Sequence, residues 1–389
     1  MGVQFDQTVG GQIAQGFSQW CGRDVQLLLE RRDLQHLTGR EIASQDGPSQ
    51  LLVGPLGSCG RLLFVEHAVN PQMCGQRWEQ LRYVGRSDPI GPAFHNLRRC
   101  HMGFRLVNVG GRAALVHDQS YVDLETLSAG TFGSDPMAAL GRAEELSALA
   151  ATLADHAPTG LLADAVLDAP VPRPRNCFAI GLNYQSHADE SGMEVPAVPL
   201  TFTKFPSCIV GPNAAVELRS DAVDYEGELV VVIGTAGRDI AVTDAWKHVA
   251  GLTIGQDISD RPAQFAAAPP HFDLGKSFDT FGPMGPVLVS VDSFDNPDDL
   301  RITTLINGEV RQDDSTAMMI FNVPTLVSYL SRFTTLQPGD VIFTGTPDGI
   351  GMATGRFLAD GDVITTTIEG IGTMTNACVR VSDYVKEAN

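Results

Sequence analysis

The chain has 389 residues, 43% of them hydrophobic, enough for two or three domains with a sizeable core. A formal net charge of −19 argues against nucleic acid and anionic membrane surfaces as partners, and no apolar run reaches transmembrane length. Seven cysteines without C-x-x-C spacing, and an N-terminus lacking a signal-peptide layout, point to reduced thiols in the cytoplasm and to no zinc site.

Forty glycines, 23 prolines and few aromatic residues predict an α+β protein in which strands dominate. Residues 1–101 stand apart from the rest of the chain: they carry a net charge near +1, against about −20 for the remainder, and hold no lysine. Their one plausible helix is Val25–Leu37, and no lasting period of 2.0 or 3.6 runs through them. They read either as an accessory domain or, the preferred reading, as an extension ahead of a natural start at Met102, and the expectation is that they pack poorly.

From residue 102 the pattern sharpens. Phe104–Val109, Gly110-Gly111 and Ala113–Val116 form a hairpin signal that Tyr121–Leu124 continues, followed by one or two alanine- and leucine-rich helices over 136–162. These residues, 102–170, are expected to make a small β-rich N-terminal domain. Proline punctuation at Val171–Arg175 leads into the main domain, 171–389, which opens with a short strand at Cys177–Ile180. Further strands are predicted at Leu229–Ile233, Val249–Ile254, Pro286–Ser290, Ile302–Ile306, Val341–Thr344 and Val363–Ile368. A hairpin turn is predicted at Asn307-Gly308, a short helix at Val323–Ser331 and an irregular stretch over 265–273.

The chemistry concentrates in a few stretches. In Asp224-Tyr225-Glu226-Gly227-Glu228 the two glutamates share one face of a strand, and a second strand delivers Asp257. Three oxygen ligands on rigid elements suit a hard divalent cation such as Mg2+, although a solvated strand start carries the same pattern. His187 and Glu190, three apart in a helical turn, can pair so that the acid fixes the imidazole tautomer; a surface helix start explains them as well. Lys276 and Lys204 are two of only four lysines, and each is either a snorkelling stem or a charge aimed into a site. The glycine-rich Thr344–Gly351 could form an anion nest from its backbone N–H groups, but it lacks the signatures of nucleotide binding.

Over residues 177–380 these stretches resemble the fumarylacetoacetate hydrolase family. The resemblance runs in consistent order through Gly-Leu-Asn-Tyr184-x-x-His187-x-x-Glu190, Phe-x-Lys204, Asp-Tyr-Glu226-x-Glu228-Leu, Asp257-Ile-Ser-x-Arg261, Gly-Lys276-Ser-Phe-Asp-Thr-Phe, the Asn-Gly hairpin, Pro-Gly-Asp-Val-Ile and Thr-Gly-Thr346-Pro-x-Gly-Ile-Gly. It implies a mixed β-roll or β-sandwich catalytic domain, a homodimer, and Mg2+ (or Mn2+ or Ca2+) on Glu226, Glu228 and Asp257. It assigns water activation to His187 and Glu190, oxyanion stabilisation to Lys276, and substrate contacts to Tyr184, Lys204, Arg261, Gln264 and Thr346. One departure stands out: Asp260 precedes Arg261 and Pro262 follows it, where relatives usually read Asp-x-Ser-Ala-Arg-Asp. The activity implied is metal-dependent hydrolysis of a C–C bond in a small anionic 1,3-diketo acid, of acylpyruvate or fumarylacetoacetate type. The alternatives are a 2-oxo acid decarboxylase, a hydroxymuconate-type isomerase, a 2-keto-3-deoxy sugar acid dehydratase, or a non-enzymatic homologue.

Overall fold

The computed structural model describes residues 103–381, together with two short strands, Ser49–Leu51 and Glu66–Ala68, that pair antiparallel. Apart from those two strands, the extension expected over 1–101, with its helix at Val25–Leu37 and the start proposed at Met102, lies outside the described residues. Everything from Gly103 to Val381 belongs to one compact unit.

Its main strands, in chain order, are β1 (Arg105–Val109), β2 (Arg112–His117), β3 (Ser120–Asp123), β4 (Cys177–Gly181), β5 (Leu200–Thr203), β6 (Val216–Leu218), β7 (Gly227–Ile233), β8 (Val249–Gln256), β9 (Gly282–Val289), β10 (Arg301–Ile306), β11 (Glu309–Ser315), β12 (Val341–Phe343), β13 (Val363–Ile368) and β14 (Gly372–Arg380). The larger sheet runs β3-β2-β1-β9-β8-β7-β12-β4-β5 and is widened by several two-residue strands. The smaller runs β6-β14-β13-β10-β11. The Gly110-Gly111 hairpin therefore extends the larger sheet, through pairing of β1 with β9 at Leu106 and Leu288, and closes no sheet of its own. The helical stretch after it resolves into two short helices, Pro136–Ala139 and Ala143–Ala150.

β7 lies at the heart of the larger sheet, and all seven of its residues are buried. Its alternation divides the core: Val230 and Val232 join one apolar cluster, Leu229, Val231 and Ile233 the other. The smaller sheet is buried on one face only, as the strict alternation of β13 shows, and it packs that face toward the start of β7. There the two layers come so close that a Cβ on Gly227 would lie 2.2 Å from Thr304 Oγ1. The residue between the two glutamates is glycine because a neighbouring sheet occupies the space of any side chain. Gln256, at the end of β8, ties the layers together by donating to Thr366 Oγ1 at 2.7 Å and accepting from the Glu226 backbone N–H at 3.1 Å.

Candidate active site

The acids sit where β7 begins and β8 ends. These strands pair antiparallel with Gly227 opposite Gln256, so Glu226 and Glu228 at the start of one face Asp257 at the exit of the other. A backbone hydrogen bond from Asp257 N–H to Glu226 C=O, 2.9 Å, closes the corner. Carboxylate oxygens of Glu226, Glu228 and Asp257 all lie within 4.8 Å of one another, and all three residues are buried. This is the convergence expected of a metal site, and the solvated-face alternative is excluded by the burial.

Three buried cations balance the cluster. Lys276 Nζ donates to Glu226 Oε2 at 2.7 Å and to Asp257 Oδ2 at 2.6 Å. Lys204 Nζ donates to Asp257 Oδ1 at 2.7 Å and also to the Lys276 carbonyl. Arg261 Nη2 reaches Glu226 Oε1 at 2.7 Å, while its Nε and Nη2 both grip Asp224 Oδ2. Burial works to raise the Glu226 pKa, but Lys276 and Arg261 outweigh it and hold the carboxyl at about 2. Glu228 goes the other way: burial, then Asp257 and Glu226, push it well above the ordinary carboxylate value. Among the described residues its one hydrogen-bond donor is the Gly345 backbone N–H at 2.8 Å. A cluster in which one carboxyl resists ionisation has room for a further positive charge, so the donor set fits a hard divalent cation.

The glycine-rich Thr344–Gly351 segment does form a nest, but its amides hold the protein's own carboxylates. Gly345 N–H serves Glu228, Gly349 N–H serves Glu190 Oε2 at 2.9 Å, and Gly351 and Met352 N–H serve Asp224 at 2.6 and 2.8 Å. Gly345 has φ +96°, and a Cβ there would meet Asn183 Cβ at 2.7 Å. His187 and Glu190 lie in the helix Gln185–Ser191, with Nδ1 and Oε1 2.8 Å apart as the i, i+3 spacing requires.

A cavity of about 360 Å3 opens onto this arrangement. His187, Glu190, Glu226, Arg261, Gln264, Lys276 and Thr346 line it together. Tyr184 and Lys204, expected to touch substrate, do not line it, nor do Glu228 and Asp257, which lie beneath Glu226. Tyr184 is wholly buried in the apolar core, with no hydrogen-bond partner for its hydroxyl among the described residues. Lys204 is equally buried and supports Asp257 from behind. Lys276, whose sequence neighbours are glycine and aromatics, turns out to be flanked by two carboxylates contributed from far along the chain. The unusual Asp260-Arg261-Pro262 is explained by a short helix, Arg261–Gln264: Asp260 caps it by accepting from Ala263 N–H, and Pro262 sits in the first turn, where no N–H is needed. Sequence reasoning gives Asp224 no role, although it stands inside the Asp-Tyr-Glu motif. It anchors Arg261 and the 349–352 loop together.

Residues 176–379 match the family model described as the C-terminal domain of fumarylacetoacetate hydrolase. The chain belongs to the fumarylacetoacetate hydrolase family. Within it, the chain is 44% identical over 223 residues to the oxaloacetate tautomerase YisK of Bacillus subtilis, covering 55% of this chain and 73% of that protein. The solved maleylpyruvate hydrolase of Sphingobium sp. SYK-6, in complex with manganese(II) and pyruvate, is 29% identical with a TM-score of 0.61, over 71% of this chain and 99% of that one. The 5-carboxymethyl-2-hydroxymuconate delta-isomerase of Mycobacterium smegmatis is 33% identical with a TM-score of 0.56, over 72% and 100%. Hydrolases, isomerases and tautomerases thus share this strand-dominated fumarylacetoacetate hydrolase fold.

Proposed function

We infer that the protein is a metal-dependent hydrolase that cleaves the C–C bond of a 1,3-diketo acid of acylpyruvate or fumarylacetoacetate type. The observation that carries this reading is that the His187–Glu190 pair lines the same cavity as Arg261, Lys276 and Glu226, a member of the acid cluster. A divalent ion such as Mg2+ or Mn2+, held by Glu226, Glu228 and Asp257, would polarise the oxygens of the 2-oxo acid and stabilise its enolate. Glu190 engages His187 Nδ1 and leaves Nε2 to take a proton from water. The hydroxide adds to the distal carbonyl, and Lys276 is the cation placed to stabilise the oxyanion that forms. Collapse breaks the C–C bond and sends its electron pair to the 2-oxo acid fragment. That carbon takes a proton back from His187, giving a carboxylic acid and a pyruvate-like product.

A second reading is keto–enol tautomerisation of a 2-oxo acid, favoured by the name of the Bacillus subtilis relative. The same base moves a proton and no water adds. Turnover of an acylpyruvate in 18O-labelled water separates the two: label in the carboxylic acid product supports hydrolysis, and proton exchange without cleavage or label establishes the tautomerase. A cytoplasmic homodimer completes the proposal. The compartment is supported by Cys177, Cys208 and Cys378 being free and buried, and the dimer by the family resemblance alone. Among the described residues no helix is long and apolar enough to cross a membrane.

A further inference from the structure

The cavity has two unlike ends. Among the described residues its permanent cations are Arg261 and Lys276, and each already serves buried acids: Asp224 and Glu226 for the first, Glu226 and Asp257 for the second. The buried carboxylates of this network (Asp224, Glu226, Glu228, Asp257) are engaged by Lys204, Arg261 and Lys276, so neither lining cation is free for a substrate, and a divalent ion on the acids would supply the charge that receives one substrate carboxylate.

Away from the floor the wall is aromatic. Lys276 Nζ stands 5.1 Å from the centre of the Phe202 ring. Phe202 meets Phe272 edge-on at 5.6 Å, and Phe272 meets Phe265 edge-on at 5.9 Å. This run of rings leads from the ammonium toward solvent, where Phe265 and Leu200 are each 42% exposed. Large apolar side chains left open at the mouth of a charged cavity mark a surface waiting for an apolar partner.

We propose, resting on the function inferred above and narrowing it to the acylpyruvate type, since a fumarylacetoacetate-type acid carries a carboxylate at each end, that the substrate is a 2-oxo or 1,3-diketo acid with a single carboxylate at the floor and an apolar, preferably aryl, group at its distal end. A second carboxylate at that end would lie against Phe265 and Phe272 with no cation to receive it, and its desolvation would be uncompensated. Phe265 and Leu200 are then specificity-determining residues.

The test is a binding measurement on the full-length protein with Mg2+, using two ligands that share a 2-oxo acid head and have no 1,3-diketone to cleave. Calorimetry should show 4-phenyl-2-oxobutanoate binding at least about tenfold tighter than 2-oxoglutarate, the usual scale of discrimination in an apolar pocket. Phe265→Arg should narrow or reverse that ratio; Leu200→Arg replaces it if Phe265→Arg melts early. Equal or tighter binding of 2-oxoglutarate by the wild type, or a ratio unmoved by the arginine, overturns the proposal. Neither result bears on hydrolysis, which the labelled-water experiment decides by itself.

Discussion

Gly349 donates its backbone N–H to Glu190 Oε2, so the carboxylate that orients His187 is itself fixed by the loop that also serves Asp224. The His187–Glu190 pair is thereby tied, through the backbone of that loop, to the Asp224 carboxylate that grips Arg261. His187→Ala should lower turnover by about two to four orders of magnitude while leaving Mg2+ binding intact. Glu190→Gln keeps an acceptor for Gly349 and loses only the charge beside the imidazole, so its loss should be smaller. Steady-state rates together with calorimetric metal titration check both; a parallel fall in metal affinity for His187→Ala would contradict the geometry.

The acid cluster makes a prediction about the metal. Chelation with EDTA should abolish turnover, and Mg2+ or Mn2+ should restore it. Glu228→Gln preserves shape and the hydrogen bond from Gly345, yet removes a ligand charge, so divalent affinity should fall more than about tenfold. Unchanged affinity in the Gln variant would move the site elsewhere.

Stability should depend on pH in a way that the metal reverses. The folded-state pKa of Glu228 is raised, so its neutral form favours the native state: that stability is full below the ordinary carboxylate value and is lost as pH rises through the raised one. Glu226 is depressed to about 2, and its contribution holds above the ordinary value and fades only as pH falls toward 2. In EDTA the melting temperature should therefore decline as pH rises past the ordinary carboxylate range. With excess Mg2+ that decline should shrink, and binding should release protons, readable by calorimetry in buffers of different ionisation enthalpy. A melting temperature in EDTA that is flat from pH 4 to pH 8 would contradict the opposed shifts of the two glutamates.

Lys204 offers a test of whether it supports Asp257 or touches substrate. Lys204→Met leaves Asp257 without one of its buried partners, which should cost about 3–5 kcal/mol in chemical denaturation. A substrate-contacting lysine would instead raise KM with stability nearly unchanged.

Much of this site was legible in the sequence because its parts lie on short, strongly patterned elements. The Glu226-x-Glu228 face follows from strand alternation, and His187 with Glu190 from the helical turn. What the sequence left open has several causes. Lys204 and Lys276 meet Asp257 across 53 and 19 residues of chain, so no local pattern shows whether an ammonium points at substrate or at a carboxylate. Tyr184 sits in a motif beside true cavity residues, yet motif membership does not say which way a side chain turns. The aromatic wall is invisible in the sequence because Phe202, Phe265 and Phe272 converge from a strand, a loop and a short helix, and the 265–273 stretch has no period to read.

The division of the core by β7 has a consequence for how this gene can change. Substitutions along Leu229–Ile233 alter one cluster at a time and leave the acids in place. Inserting or deleting a single residue there is another matter: every side chain beyond the lesion would exchange faces, and repair on the other side would carry Glu228 away from Asp257. This stretch should therefore drift freely in the identity of its aliphatic residues and hardly at all in its length. A library of one-residue deletions scanned across 226–233 should yield almost no folded, metal-binding survivors, whereas Val-to-Ile exchanges at the same positions should yield many.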